Sequence, residues 1–339
     1  MTGVPVADGV PGLVGRTPLV RLRRLLDAPG GPRVFAKLES ANPAGSAKDR
    51  PAAAMVGDAL ARGDLRAGGT IVESSSGNLG VALAQLARWH GLDFVCVVDP
   101  RVSTTNARLV EAYGGRLHRV TEPDRETGDW LVARQAAVRE LVERIPGAWC
   151  PDQYSNPLNP AAHAAGTARE ILEALDGRLS ALLVATSTTG TLAGCQRHLR
   201  EAGVGAEVVA VDAVGSVLFR GSRAKRLLPG FGAGSVPPLA AGVEPDRLVR
   251  VDDLDCVVGC RRLARREALL AGASGGGVIS ALDLVAADYG PRDTVVVVLH
   301  DHGERYLETV YDDAWVDAEL GCDPDRLEAL VSRRLPASA

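Results

Sequence analysis

Short runs of β-branched and aliphatic residues alternate along the chain with longer Ala- and Leu-rich stretches of helical spacing. The runs at 34–38, 70–73, 94–98, 116–120, 182–185, 207–212 and 294–299 read as strands. They are apolar on successive positions, as strands covered on both faces are. The stretches at 52–62, 79–90, 105–113, 129–144, 161–175, 192–202, 254–270 and 278–288 read as helices. This alternation predicts an α/β fold with mostly parallel sheets. Ligands of such sheets bind beyond the carboxyl ends of strands, so the loops that follow strands carry the information. Four segments stand out: Glu-Ser-Ser-Ser-Gly-Asn at 73–78, Thr-Ser-Thr-Thr-Gly-Thr at 186–191, Gly-Ala-Ser-Gly-Gly-Gly at 272–277, and the 42–51 segment that contains Lys48. The Gly- and Pro-rich segment 220–246 reads as a long surface excursion.

Composition narrows the class. A chain of 339 residues suggests about two domains. Its 38 basic and 42 acidic side chains are mixed, with a net charge of −4, which argues against a nucleic acid or an anionic membrane as partner. No apolar run approaches the ~20 residues that span a bilayer, and no secretory leader pattern is visible. Six scattered cysteines then read as reduced thiols of a cytoplasmic protein. Only three lysines occur, Lys37, Lys48 and Lys225, so any amine chemistry has three candidates.

The 186–191 loop offers hydroxyls and backbone N–H groups at a helix start, a natural seat for a phosphate; it also fits a helix that is simply well capped. No Walker lysine and no strand-linked GxGxxG is present, which disfavours nucleoside triphosphates and dinucleotides. Lys48 stands at a helix start with Pro51 in the first turn. The helix dipole disfavours its cationic form there, which suits a neutral nucleophile, although a solvated surface lysine is the plainer reading. Lys37 shares a strand face with Glu39 and reads as an ion-paired or edge lysine. An amine, a phosphate seat and a hydroxyl-rich loop together suggest pyridoxal 5'-phosphate.

The chain resembles the β-family, or fold-type II, of pyridoxal-phosphate enzymes, whose members include the cysteine synthases. The resemblance rests on Gly-Arg-Thr-Pro-Leu-Val at 15–20, the 42–50 segment, Ser-Ser-Ser-Gly-Asn at 74–78 and Gln-Tyr-Ser-Asn at 153–156. It continues through 187–191, Gly-Ala-Ser at 272–274 and Gly-Glu-Arg-Tyr at 303–306. It implies two three-layer αβα domains: a small mobile one over 49–152, and a large one from 1–48 with 153–325, followed by a tail at 326–339. The cofactor would lie at their interface, in a homodimer. Lys48 would carry the aldehyde and act as the catalytic base. Asn78 would bond the ring hydroxyl, Ser187, Thr188, Thr189, Gly190 and Thr191 would hold the phosphate, and Ser274 would face the pyridine nitrogen. Ser74, Ser75, Ser76 and Gly77, with Gln153, would bind the substrate carboxylate. A serine opposite the pyridine nitrogen makes the ring a weaker electron sink than a carboxylate would, which favours elimination at Cβ.

Departures from cysteine synthases include the hydroxyl-rich 186–191 loop, Val-Ser-Thr-Thr-Asn at 102–106 and Val-Tyr-Asp-Asp-Ala-Trp at 310–315. They resemble the branch that joins O-phospho-L-serine to L-glutamate through an aminoacrylate, on the way to 2,3-diaminopropionate for siderophores or antibiotics. A cysteine synthase or another β-substituted alanine synthase is the alternative. Such anionic substrates need cations. Arg134 lies on the apolar side of its helix, either paired with a nearby acid or clamping a substrate anion. Tyr154 is either a substrate contact or an interior tyrosine. Cys256 and Cys260 read as packed thiols, His163 as a packing residue, and Asp301 as a neighbour of the cofactor ring. No metal site is expected, including at His300 and His302.

Overall fold

A computed structural model describes residues 6–26 and 30–333. The chain forms two compact units: residues 6–16 with Asn42–Asn159, and Thr17–Ala41 with 160–333. In chain order the strands are β1 (Leu19–Leu22), β2 (Arg33–Leu38), β3 (Thr70–Ser74), β4 (Asp93–Val98), β5 (Arg116–Arg119), β6 (Ala148–Trp149), β7 (Ala181–Ala185), β8 (Glu207–Ala213), β9 (Arg247–Val251) and β10 (Thr294–Leu299). The first unit holds a four-stranded sheet of order β5-β4-β3-β6, parallel throughout. The second holds a six-stranded sheet of order β1-β2-β10-β7-β8-β9, parallel except for the antiparallel β1–β2 pair. The expected α/β class and its parallel sheets are thus present.

Among the strands read from the sequence, every residue of β3, β7 and β10 is buried, whereas β5 is largely exposed. Three strands were not anticipated. β1 and β9 are partly exposed and carry arginine, and β6 has two residues, so none shows an apolar run. The stretch 161–175 is not one α-helix. It consists of Leu158–His163, a wider π-turn segment Ala164–Ala168, and Arg169–Ala174. Helices Asp313–Leu320 and Pro324–Ser332 were also missed. The second takes up 326–332 of the segment 326–339 read as a tail; 334–339 lie outside the described residues. Its Leu327 and Val331 are buried in the core of the second unit, worth roughly 1.5–3 kcal/mol each. Arg265 pairs with its Glu328.

Close helix packing explains the two neighbouring thiols. Helices Asp253–Glu267 and Ala273–Val285 meet through Gly259 and Gly276, where an added Cβ would lie 2.0 Å from a carbonyl oxygen of the opposite helix. Cys256 and Cys260 are buried along this seam, and burial raises both thiol pKa values. They are packing residues.

Candidate active site

Lys48 caps the helix Asp49–Arg62 and is half-buried. The turn before it is fixed by two buried polar side chains. Asn42 accepts from the Gly15 N–H (2.8 Å) and donates to the Ser46 carbonyl (3.1 Å). Asp49 accepts from the Ala44 N–H (2.6 Å), the Ser46 N–H (3.1 Å) and the Ser46 hydroxyl (3.3 Å). The Ser46 Oγ accepts from the Lys48 N–H. The lysine backbone is thereby set before anything binds its amine. The other two lysines offer little. Lys37 is fully buried on an interior strand, with its ammonium 2.7 Å from both Glu170 and the Thr17 carbonyl. It is ion-paired, to Glu170 and not through an edge position beside Glu39. Lys225 is exposed in the irregular segment.

The 74–78 loop leaves β3 and opens the helix Asn78–His90. The Ser75 Oγ accepts from the Gly80 N–H at 2.9 Å. Gln153 is buried and donates from Nε2 to the Ser74 carbonyl (3.2 Å), and Asn159 donates to the Gln153 carbonyl (2.8 Å). Beneath them lies Glu73, also buried, with its carboxylate accepting from the Ser74 N–H (2.8 Å) and the Gln153 N–H (3.3 Å). Burial pushes its pKa up to about 8, against those two donors, and the Asp152 charge adds to the rise. Asn78 is the first residue of the helix and half-buried.

Arg134 is 7% exposed on the helix Trp130–Arg144. Its Nη1 donates to the Ser76 hydroxyl at 3.2 Å, and its Nε lies 3.3 Å from Asp99. Burial works against the Asp99 charge, yet Arg101 and Arg134 hold its carboxyl below the usual carboxylate range. The ion-pair reading of Arg134 is therefore present, and the same guanidinium reaches the loop read as the carboxylate site. Tyr154 feels the Arg134 charge, but burial dominates and pushes its pKa up to about 12, so its phenol stays protonated.

In the second unit, the turn Thr186–Thr191 leaves β7 and opens the helix Gly190–Glu201. Thr189 takes a left-handed backbone (φ 65°), which folds the turn over the helix start. Each end of the turn is tied down. The Thr186 hydroxyl lies 3.2 Å from the Val211 carbonyl and 3.1 Å from Asp212, and Ser187 donates to the Gly232 carbonyl (3.1 Å). Gly232 returns its N–H to the Thr186 carbonyl (2.8 Å). The segment 220–246 is thus only partly a surface excursion: its Phe231 is buried and its backbone braces this turn. Thr191 meets Nε2 of fully buried His163 at 3.2 Å, and Nδ1 of that ring meets Thr167 at 3.0 Å. His163 is more than a packing residue, because it holds the turn from behind.

Ser274 is the second residue of the helix Ala273–Val285, behind Gly272. A Cβ on Gly272 would lie 2.0 Å from the Asp301 carboxylate, and Tyr306 donates to that carboxylate at 2.8 Å. Asp301 therefore packs directly behind the segment that presents Ser274. His302 caps the short helix Gly303–Tyr306 through Nδ1. Among the described residues no cluster of metal-ligating side chains occurs.

The residues fit pyridoxal phosphate by the chemistry they offer. A half-buried amine stands on a preset turn, and a left-handed Thr189 folds hydroxyls and N–H groups around a twelve-residue helix start. Helix N–H groups there have no intrahelical acceptor, which suits a phosphate dianion. Fold and site define a fold-type II α/β enzyme. Residues 10–301 match the family described as "Pyridoxal-phosphate dependent enzyme", and the chain belongs to it. It is 46% identical over 311 residues to the N-(2-amino-2-carboxyethyl)-L-glutamate synthase of Ralstonia nicotianae, covering 92% of this chain and 91% of the relative. Among solved structures, the O-acetylserine-dependent cystathionine beta-synthase of Helicobacter pylori superposes with a TM-score of 0.83 at 29% identity, over 90% of this chain and 99% of that one. A mutant O-ureido-L-serine synthase bound to O-ureido-L-serine gives 0.82 at 36% identity, over 93% and 98%. The cofactor inferred from the sequence follows from this membership, and the β-replacement class from the relative and solved structures just named. Sequence reading missed the supports, Asp49, Glu73, Asp99 and His163. Their one signal is an acid or histidine placed inside or at the end of an otherwise apolar element.

Proposed function

We propose that this enzyme joins O-phospho-L-serine to L-glutamate, releasing phosphate and forming N-(2-amino-2-carboxyethyl)-L-glutamate, a precursor of L-2,3-diaminopropionate for siderophore or antibiotic synthesis. The relative of that activity supports this reading through its 46% identity over most of both chains. Bound pyridoxal phosphate supplies the electron sink that lets the β-substituent leave. The protein's residues bind, orient and move protons around it. Lys48 Nζ, when neutral, takes the donor's α-proton and later returns one to the same carbon. Ser187, Thr188, Thr189, Gly190 and Thr191 hold the cofactor phosphate, Asn78 its ring hydroxyl, and Ser274 faces its pyridine nitrogen. The Ser74–Gly77 loop and Gln153 take the donor α-carboxylate.

The two substrates bring a phosphate and three carboxylates. Arg134, buried and already reaching Ser76, is the cation placed to meet one of them, with the neutral phenol of Tyr154 as a further donor. The 49–152 segment is proposed to move as a small domain, and its closure would exclude water from the reaction. We further infer a cytoplasmic homodimer, as is usual for this fold. Among the described residues no helix is long and apolar enough to cross a membrane.

Incubating the holoenzyme with paired donors and acceptors, followed by mass spectrometry, tests the reaction. Phosphate release from phosphoserine should depend on glutamate and yield the joined product. Cysteine from O-acetylserine and sulfide, with no product from glutamate, would assign the chain to the cysteine synthases instead.

A further inference from the structure

We propose that Glu73 is the positioning residue of the α-carboxylate subsite: its carboxylate fastens the Ser74 end of the substrate loop to the Gln153 turn. This rests on the reading that Ser74–Gly77 and Gln153 receive the amino-acid carboxylate. Glu73 is the fourth residue of β3, after the buried Thr70, Ile71 and Val72 and before the buried Ser74, and is itself 2% exposed. A carboxylate costs several kcal/mol at such a position unless its oxygens are used, and an apolar residue would fill the volume more cheaply. Both oxygens are used, each on a different segment. One takes the Ser74 N–H and the other the Gln153 N–H, 79 residues further on from Ser74. Gln153 Nε2 closes the ring on the Ser74 carbonyl. At the far end of the loop, Arg134 holds Ser76.

One donor of the latch is unused. The Ser74 hydroxyl, on a residue 1% exposed, has no hydrogen-bond partner among the described residues. A buried hydroxyl without a partner costs about 1–3 kcal/mol, a cost that a bound carboxylate would remove. The charged and titratable groups that act on or around Glu73 are Asp152, Cys96, Cys150, Tyr154 and Arg134. Of these, Arg134 is the cation, and the thiols and phenol are held protonated by burial. The change of charge near pH 8 therefore belongs to Glu73. An anion bound beside it is repelled once Glu73 ionises.

The test compares L-serine with ethanolamine, which lacks the α-carboxylate, by the shift each causes in the cofactor absorption of the holoenzyme. Neither probe assumes a phosphorylated donor. In the unmodified enzyme, the preference for L-serine should fall several-fold as pH rises through about 8. In Glu73→Gln, which offers one acceptor where two are used, the preference should drop by about tenfold and lose its pH trend, while ethanolamine binding is unchanged. Unaltered preference and pH trend in the variant would overturn the latch. No preference for L-serine at all in the unmodified enzyme would instead refute the carboxylate reading of the loop, whatever donor the enzyme uses.

Discussion

The two units support their binding elements in opposite ways. In the second unit the 186–191 turn is held mainly by hydroxyl and backbone contacts: hydroxyls of Thr186 and Ser187 on carbonyls and the Gly232 N–H, with Asp212 beside Thr186 and the His163 ring on Thr191. In the first unit the Lys48 turn and the 74–78 loop hang on buried ionisable groups: Asp49, Glu73 and the Asp99–Arg134 pair. Hydroxyl-to-carbonyl and backbone braces keep their hydrogen bonds across the physiological pH range. Buried carboxylates bind donors more strongly but respond to pH and to ligand charge. The difference suits a protein that keeps one phosphorylated cofactor while anionic substrates come and go. Buried ionisable groups are costly as pure scaffolding, so their concentration around one loop marks where charge changes hands.

Substitutions can break this contrast. Lys48→Ala should have the largest effect, removing the cofactor absorption near 410 nm (roughly the value for a lysine-bound pyridoxal aldehyde) and lowering turnover by at least about 10³-fold. Asp49→Ala removes three hydrogen bonds from the Lys48 turn and should cost about 2–4 kcal/mol in denaturant stability, with cofactor loading reduced. Arg134→Ala should weaken one anionic substrate by about 10–100-fold in titrations while leaving the absorption spectrum unchanged. Equal apparent affinity for both substrates would reject the clamp. Thr191→Val, in the second unit, should raise the cofactor dissociation constant by about tenfold or less, with no new pH dependence.

The smallest effect sharpens the contrast through stability. The Glu73 pKa is raised from 4.5 to about 8, so between those values the folded state binds more protons than the unfolded chain. Its contribution is fully present below pH 4.5 and is lost as pH rises through about 8. Denaturant midpoints should therefore decline with pH more steeply in the unmodified enzyme than in Glu73→Gln.

Much of the fold was legible because its central strands are continuous apolar runs such as Val295-Val-Val-Val298, which only a doubly covered sheet accommodates. The edge strands β1 and β9, partly exposed and carrying arginine, were not, although the edge strand β5 was read despite its two arginines. Lys48 and the Thr186–Thr191 turn were legible from residue type and place. Their supports were not. Asp49 looked like a helix-start acid, Glu73 like the close of a strand, and His163 like filler. What each does depends on partners distant in the chain, such as Gln153 for Glu73 and Thr191 for His163. Spacing carries no trace of such pairings.

Borohydride reduction of the holoenzyme, followed by peptide mass spectrometry, tests the central assignment most directly. The pyridoxyl mass should appear on the peptide containing Lys48 and nowhere else. Its appearance on the Lys37 or Lys225 peptide, or on none, would contradict the account of this site.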